Sequence, residues 1–527
     1  MQDFRQTGPP ADIGTFLFPT DVMVFKHAFA GVTYAVAIRR GERGWVAVDI
    51  DTVANIASVI NNAFAALTAG RTWKEKVTVM GGFTGVAQII IPDYVHLEII
   101  GSLTAVDGLD LSLIVNSGAT DIEISGGKID ANTANQTADH SCIYFNTVTN
   151  AWIHHVTVIG GARLVPGTAR GEGIEFYGCT DGIISSNNVS GAEYDGIKVR
   201  TGSVGCIVIS NTLDVPAASG SAGIQVSGTA TQFNVVGDNT ITCNGAGANA
   251  GIKLHYADWN VIAHNTVRGT GYAGADLIDN ADYNDICDNQ FYYTVAGIQT
   301  RKTNATVPKY NTFRNNMIFM PTGTVYGLDL ADGEDNTIEH NTIVGFGVNS
   351  VGIRIQAGVL RTELHRNKFL GAWGTRITDN GTDTRFDTIP VPFRYGSDPQ
   401  LVGYLVDGAA ETASTTIQLP KHVHEIVKIT VWARSQVAEA DKMRGDLLVS
   451  AGADNEGWQT HSQAFADEPS VTLNFAVNDN IHWSLSHANL TAMSGGDEVY
   501  VRIQHEAAGD GDCETNATMR SIVIHYV

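Results

Sequence analysis

Charge is scarce in this chain, and positive charge is the scarcer sign. Of 527 residues only 17% are Asp, Glu, Lys or Arg, and 33 Lys and Arg face 55 Asp and Glu, a formal net charge of -22. That balance argues against nucleic-acid backbones and anionic membrane surfaces as partners. Long apolar runs are also missing. None approaches the roughly eighteen residues of a membrane span, so no membrane insertion is expected. Met1 to Pro10 is polar, so no uncleaved signal peptide is expected there. A protein outside its cell, either freed of a leader or carried on a virion, fits that start. Cysteines number six (Cys142, Cys179, Cys206, Cys243, Cys287, Cys513), without CxxC or zinc-type spacing. They read as small buried residues rather than as metal ligands or a disulfide framework.

What is abundant is a repeat. The pattern apolar-x-x-Asn-x-apolar returns eight times, at Asn187, Asn211, Asn239, Asn265, Asn289, Asn316, Asn341 and Asn367, every 24 to 28 residues. Five copies carry a second asparagine five positions earlier, at Asn234, Asn260, Asn284, Asn311 and Asn336. A second phrase, Gly-Ile-x-apolar, begins at Gly173, Gly196, Gly223, Gly251 and Gly352, with near matches at Gly297 and Gly327. Both phrases alternate like strands, and neither is long enough for a helix. A period in the twenties marks stacked repeats. The expected fold is therefore all-β: a parallel β-helix whose coils lie about 4.8 Å apart, with equal positions forming ladders. Ile, Val, Leu and Phe fill the tube. Asn suits a repeated left-handed corner and hydrogen-bonds along its ladder. Gly supplies freedom at the other corner.

Four regions are expected. Residues 1–50 form an arm with short strands around Asp21–Lys26, Thr33–Ile38 and Gly44–Val48. Residues 51–75 hold a helix, capped by Asp51 or Thr52, with Val53, Ile56, Ile60, Ala63, Phe64 and Leu67 as its apolar stripe and Gly70 as its stop. Its expected role is to plug the open end of the tube. Residues 76–390 form the β-helix, about twelve coils at about 26 residues each. After the proline-bearing stretch Ile389–Phe393 the period vanishes and longer alternating strands appear, at Glu425–Trp432, Val471–Phe475, Ile481–Leu485, Val499–Ile503 and Ser521–Val527. Residues 396–527 therefore read as a β-sandwich of jelly-roll type: a sugar-binding module, a trimerising module or a cap.

The helix, the short strand Val77–Met80 and the segment Ile89–Glu98, followed by coils with Asn-x-apolar turns, resemble the pectate-lyase-like right-handed parallel β-helix superfamily, bacteriophage tailspikes included. The resemblance spans residues 51 to about 390. It implies that fold, and it implies polysaccharide as the partner. It does not choose among lyases, hydrolases, epimerases and adhesins. Gly196-Ile-Lys-Val-Arg200 also resembles a segment of polygalacturonases, but the other motifs of that family are missing upstream, so its activity is not carried over.

Site residues follow from the outward positions of Gly-Ile-x-apolar-x. One expected column runs Glu175, Lys198, Gln225, Lys253, Leu277, Gln299, Asp329, Arg354. A second runs Tyr177, Arg200, Ser227, His255, Asp279, Arg301, Ala331, Gln356. The residues before the glycines add Glu172 and Asp195. Glu172 and Asp195 share a register on adjacent coils. Two carboxylates that close drive one pKa up unless a cation intervenes. With Glu175 they meet the spacing of a glycoside hydrolase's acid and second carboxylate. The same set serves a β-elimination, with Lys198 or His255 as base, Arg200 neutralising the enolate, and calcium held by Glu172 and Asp195. The candidate catalytic residues are thus Glu172, Glu175, Asp195, Lys198, Arg200 and His255. Tyr177, Tyr194, Gln225, Lys253, Asp279 and Arg301 are expected to line the substrate groove. Lys198, Gln225 and Lys253 are expected to be exposed while Ile197, Ile224 and Ile252 are buried. Trp259 and Tyr283 share a register and read as turn packing in preference to a sugar platform. The expected function is depolymerisation of a polysaccharide, and the rival is a non-catalytic glycan-binding adhesin or virion spike. The resemblance to tailspikes also implies a homotrimer.

Overall fold

The computed structural model describes residues 21–41, 44–163, 170–216, 221–244, 250–269, 271–293, 295–304, 306–321 and 325–392, and eight strand segments between 404 and 526. Three antiparallel strands, Val22–Phe29, Val32–Gly41 and Gly44–Thr52, come first. The first of them also pairs in parallel with the strand Glu75–Val86, which ties it to the tube. The helix is present but shorter than its apolar stripe. Val53–Asn55 is a 3-10 turn and the α-helix is Ile56–Ala65. Neither Asp51 nor Thr52 caps it; the N-cap is Asn55, without a side-chain cap hydrogen bond, while Asp51 accepts from the Thr52 amide and from Asn55 Nδ2. Ile56, Ile60, Ala63, Phe64 and Leu67 of the stripe are buried, together with Val59, which the stripe did not include, whereas Val53 is only half-buried.

From Glu75 onward the chain winds into a parallel β-helix of three sheets. The first contains Ile143–Asn146, Ile174–Tyr177, Ile197–Arg200 and, further on, Ala250–Asp258, Ala273–Ile278, Ala296–Arg301 and Tyr326–Leu330. The second runs through Ile122–Ser125, Trp152–His154, Ile183–Ser185 and Val261–Ala263. The third runs through Lys128–Asp130, Thr157–Ile159, Asn188–Ser190 and Thr266–Gly269. There are about ten turns, not twelve. Early coils are longer than the repeat implies: equivalent positions Ile124, Ile153 and Ile184 are 29 and 31 residues apart.

The repeat asparagines form two buried ladders. In the longer one, Asn211, Asn239, Asn265, Asn289, Asn316 and Asn367 each accept through Oδ1 from the backbone N–H and the Nδ2 of the Asn one rung before, as Asn265 does from Asn239 at 3.1 and 2.9 Å. Each Nδ2 also donates to a carbonyl of the second sheet, Asn265 to Val236 at 2.9 Å. Asn234, Asn260, Asn284, Asn311 and Asn336 repeat the device at the other corner. The asparagines are not themselves left-handed. That role falls to the residue before each: Ser186, Ser210, Asp238, His264, Asp288, Asn315, His340 and Arg366, with φ between 48° and 58°.

The glycines of Gly-Ile-x-apolar also differ from expectation. Their φ angles are ordinary, and what they supply is room. A Cβ on Gly251 would lie 2.0 Å from Val267 Cγ1 and 2.8 Å from the Gly274 carbonyl oxygen. The first sheet therefore packs on the third through a column of glycines. Among the described residues five cysteines are free and buried. Burial pushes the thiols of Cys179 and Cys206 up to about 12 and about 11, which keeps them unreactive.

The C-terminal segments form two antiparallel sheets. Ala517–Tyr526 pairs with Arg385–Pro392 and with Ile426–Ser435, which pairs with Asn480–Ser486. A second sheet joins Thr412–Gln418, Glu498–His505, Gly445–Gly452 and Ser462–Asp467. Arg385–Pro392, which contains much of the expected break, is itself a strand. The expected strand Val471–Phe475 and residues 1–20 lie outside the described residues.

Removing one rung tests the ladder. Asn265→Ala leaves the Asn239 N–H, Asn239 Nδ2 and the Val236 carbonyl without their partner. At about 1–3 kcal/mol per buried group, the expected loss is about 3 kcal/mol or more, read as a fall in the urea midpoint.

Candidate functional site

Strand alternation places Ile197, Ile224 and Ile252 inside the tube at 0% exposure, and their neighbours on the outer face of the first sheet. Registers Glu175↔Lys198↔Gln225↔Lys253 hold as expected. At the next rung the expected columns are one residue out, and from Gln299 and Arg301 onward they hold again. Asp276 pairs with Lys253 and with Gln299, so the first column contains Asp276 in place of Leu277. Ile278, in place of Asp279, follows His255 in the second. The segment Gly274-Ala-Asp-Leu-Ile has no Ile after its glycine, which removes the landmark that anchored the other rungs.

The outer face is covered rather than wet. Lys198 is 2% and Gln225 5% exposed, and Lys253 is half-buried, against the expected exposure of all three. Tyr194 lies over Lys198 at 4.8 Å, and Arg163 lies over Tyr194 at 4.3 Å, so loop residues roof this end of the face.

Five of the six expected catalytic residues do meet at the first two regular coils. Lys198 Nζ donates to Glu172 Oε1 at 2.9 Å and lies 3.2 Å from Asp195 Oδ2. It occupies the position between the two carboxylates that calcium was expected to hold. Among the described residues no group of His, Cys, Asp and Glu is arranged for a metal ion. Arg200 Nε donates to Glu175 Oε1 at 2.6 Å. Ser141 Oγ lies 2.8 Å from Glu172 Oε2 and 2.5 Å from Glu175 Oε2. A hydroxyl has one proton for two such contacts, and Glu175 can supply the other. Burial, together with the Glu172 charge, pushes the Glu175 carboxyl above the usual range against the pull of Arg200. Burial likewise raises Asp195 against the pull of Lys198. Lys198 itself would be lowered by burial, but Asp195 and Glu172 hold it high. The cluster is sealed: Glu172 and Asp195 are 0% and Glu175 1% exposed.

His255 lies two coils away with a different partner. Its Nε2 is 3.0 Å from Asp279 Oδ2, and burial keeps the imidazole below its usual pKa. Asp279 sits at a left-handed corner, φ 56°, and accepts from the Thr303 and Asn304 amides, which outweigh burial and hold its carboxyl well below the usual range. It is a corner brace rather than a groove residue.

A second polar set, largely missed from sequence, occupies the later coils of the same face. Arg301 makes a two-pronged pair with Asp276 (3.1 and 2.8 Å), and Arg354 makes another with Asp329 (2.8 and 2.5 Å). Arg200, Arg301 and Arg354 each also lie over a tyrosine ring, that of Tyr177, Tyr272 and Tyr326 respectively. The legible signal was an acid in the first column with Arg on the next coil, two residues along for Glu175–Arg200 and Asp276–Arg301 and directly opposite for Asp329–Arg354. Gln299 Nε2 donates to Tyr272 OH and Asp329 Oδ2, but its Oε1 meets no donor among the described residues, and neither does Gln225 Oε1.

The profile of the family described as the right handed beta helix region matches residues 172–369. The β-helix is thus of the right-handed parallel kind. Among solved structures, this β-helix is similar to the A-module of a mannuronan C-5 epimerase from Azotobacter vinelandii (15% identity, 63% of this chain and 94% of that one, TM-score 0.39). It is also similar to a surface adhesin of Streptococcus pneumoniae (13%, 68% and 93%, TM-score 0.43). A third is the tailspike protein of an E. coli bacteriophage, solved with a pentasaccharide (11%, 90% and 90%, TM-score 0.39). No curated protein matches the β-helix chain significantly in sequence.

Trp259 and Tyr283 belong to an exposed aromatic column at a corner of the β-helix. Trp259 stacks on Tyr283 at 4.2 Å and 2°, and Tyr283 on Tyr310 at 4.8 Å and 13°. Inner ring faces are therefore consumed by one another, so turn packing holds and a sugar can stack only at the column's ends. Beneath it, burial, with Asp258 and Glu334 adding, lifts Asp282 to about 6.

Two substitutions test these assignments. Lys198→Met strands two buried carboxylates and should cost about 3–5 kcal/mol of stability in denaturant unfolding. Asp282 has a folded pKa above its unfolded one, so its contribution is full below about pH 4 and is lost as pH rises through about 6. Asp282→Asn should therefore melt above the parent protein near pH 7.5 and together with it near pH 4.

Proposed function

We propose that the protein binds a polysaccharide along the outer face of its first sheet. One observation carries this reading: on that face Gln225 and Gln299, each 5% exposed, hold buried amide oxygens that meet no donor among the described residues. A buried acceptor without a donor is costly, and polar groups left so in native structures call for an explanation. Sugar hydroxyls are donors of the right kind. Tyr177, Tyr272 and Tyr326, with arginines fixed beside them by carboxylates, give the face rigid aromatic and N–H-bearing walls, which lose little entropy on binding.

Cleavage of the bound chain is a second reading, favoured by the Ser141 bridge. The Glu172 and Glu175 oxygens can be no farther apart than the sum of their distances to Ser141 Oγ, within reach of the roughly 5 Å spacing of retaining hydrolases. Glu175, with its raised pKa, takes the role of acid. The seal over this cluster must open for that chemistry.

The surrounding parts take supporting roles in this reading. The helix Ile56–Ala65 plugs the tube, the C-terminal sheets pack as a sandwich for trimerisation or further sugar contact, and the protein works outside the cell or on a virion.

A glycan array tests the binding, followed by titration of the best ligand against Gln225→Leu. The variant should lose roughly tenfold in affinity without a lower melting temperature, because it removes an acceptor that meets no donor among the described residues. An array with no retained glycan would falsify the reading. If bound glycans release no new reducing ends, the cleavage reading alone falls.

A further inference from the structure

We propose that the glycan taken by this face is electrically neutral: a hydroxyl-rich chain without carboxylate, sulfate or phosphate groups. The inference rests on the binding reading above and specifies its ligand class. Between Glu172 and Gln356 the outward columns of the first sheet hold five carboxylates, Glu172, Glu175, Asp195, Asp276 and Asp329. They also hold five cations, Lys198, Arg200, Lys253, Arg301 and Arg354. In a chain of net charge -22, this strip sums to zero.

The charges cancel locally as well as in total. Lys198 bridges Glu172 and Asp195, Arg200 holds Glu175, Arg301 holds Asp276, and Arg354 holds Asp329. Lys253 stands in the fields of Asp195 and Asp276 on its two sides. An anionic sugar would have to break one of these pairs, leaving a carboxylate at 0–3% exposure without its cation, or else bring its own charge in unpaired. The rest of the chain would repel a polyanion before it arrived.

The unpartnered atoms point the same way. Gln225 Oε1 and Gln299 Oε1 are acceptors, so both ask for a donor. A carboxylate, sulfate or ionised phosphate offers only acceptors, whereas each sugar hydroxyl offers a proton. The two glutamines are three rungs apart on one column, about 14 Å, so a single chain of several sugar units laid along the axis reaches both.

The test is a printed glycan array sorted into neutral and anionic members, followed by affinity electrophoresis of the full chain in gels carrying the best neutral glycan or polygalacturonate, at low and high salt. The expected result is retention by neutral glycans only, with affinity unchanged within about twofold by salt, because no ion pair forms across the interface. Retention by anionic glycans that weakens with salt overturns the neutral-ligand inference and leaves polysaccharide binding standing. Retention by none overturns both. Gln225→Leu supplies the internal check. The variant should lose affinity for the neutral ligand while keeping its melting temperature, and undiminished binding in it would show that the ligand lies elsewhere on the protein.

Discussion

The amide ladder is the interaction on which the rest depends. A parallel β-helix fixes the spacing between rungs through backbone hydrogen bonds, but the hydrogen-bond pattern alone does not say which residue sits on which rung. The stacked asparagines do. Asn211 accepts from Asn187, Asn239 from Asn211, Asn265 from Asn239, each by two bonds, and each amide reaches a carbonyl of the second sheet as well. A slip by one residue would put a Thr, Val or Ser in the slot and strand several buried polar groups at once. Register is thereby set coil by coil, and with it every outward column.

That register turns a periodic scaffold into a patterned surface. Carboxylates and cations fall on the same face because the strand alternates, and they pair across rungs because equal positions are about 4.8 Å apart. The result is a polar strip sealed to a depth usual for a core, where ions persist only in pairs. Glu172, Asp195 and Lys198 show the sealed extreme. Arg301 and Arg354, with side chains 28% and 27% exposed, show the end that solvent reaches. Binding can use the second kind of surface directly, whereas chemistry at the first needs motion.

Period, core and the meeting of Glu172, Glu175, Asp195, Lys198 and Arg200 were legible in the sequence because each rests on spacing. Three things were not. Cover over the face comes from side chains such as Tyr194 and Arg163, outside the regular strand positions, and alternation carries no information about what lies above a strand. Register at the one rung after Lys253 was lost where Ala275 stands in place of the isoleucine that marked other rungs, which hid Asp276 and misplaced Asp279. Corner chemistry was assigned to the wrong neighbours. Asn holds the ladder while the residue before it takes the left-handed angle, and the glycines give room for packing rather than backbone freedom.

The left-handed corners have a further consequence. Ser, Asp, His, Asn and Arg fill one corner and Phe, Trp, Tyr and Asp the other, all with φ between 48° and 60°. The adjoining asparagine bonds hold the backbone there in one conformation across side chains as different as Ser, Arg, Phe and Trp. Each corner is thus a variable site on a fixed grid, one per coil. Evolution or a designer can rewrite the chemical text along either margin, one letter at a time, without disturbing the ruler on which it is written.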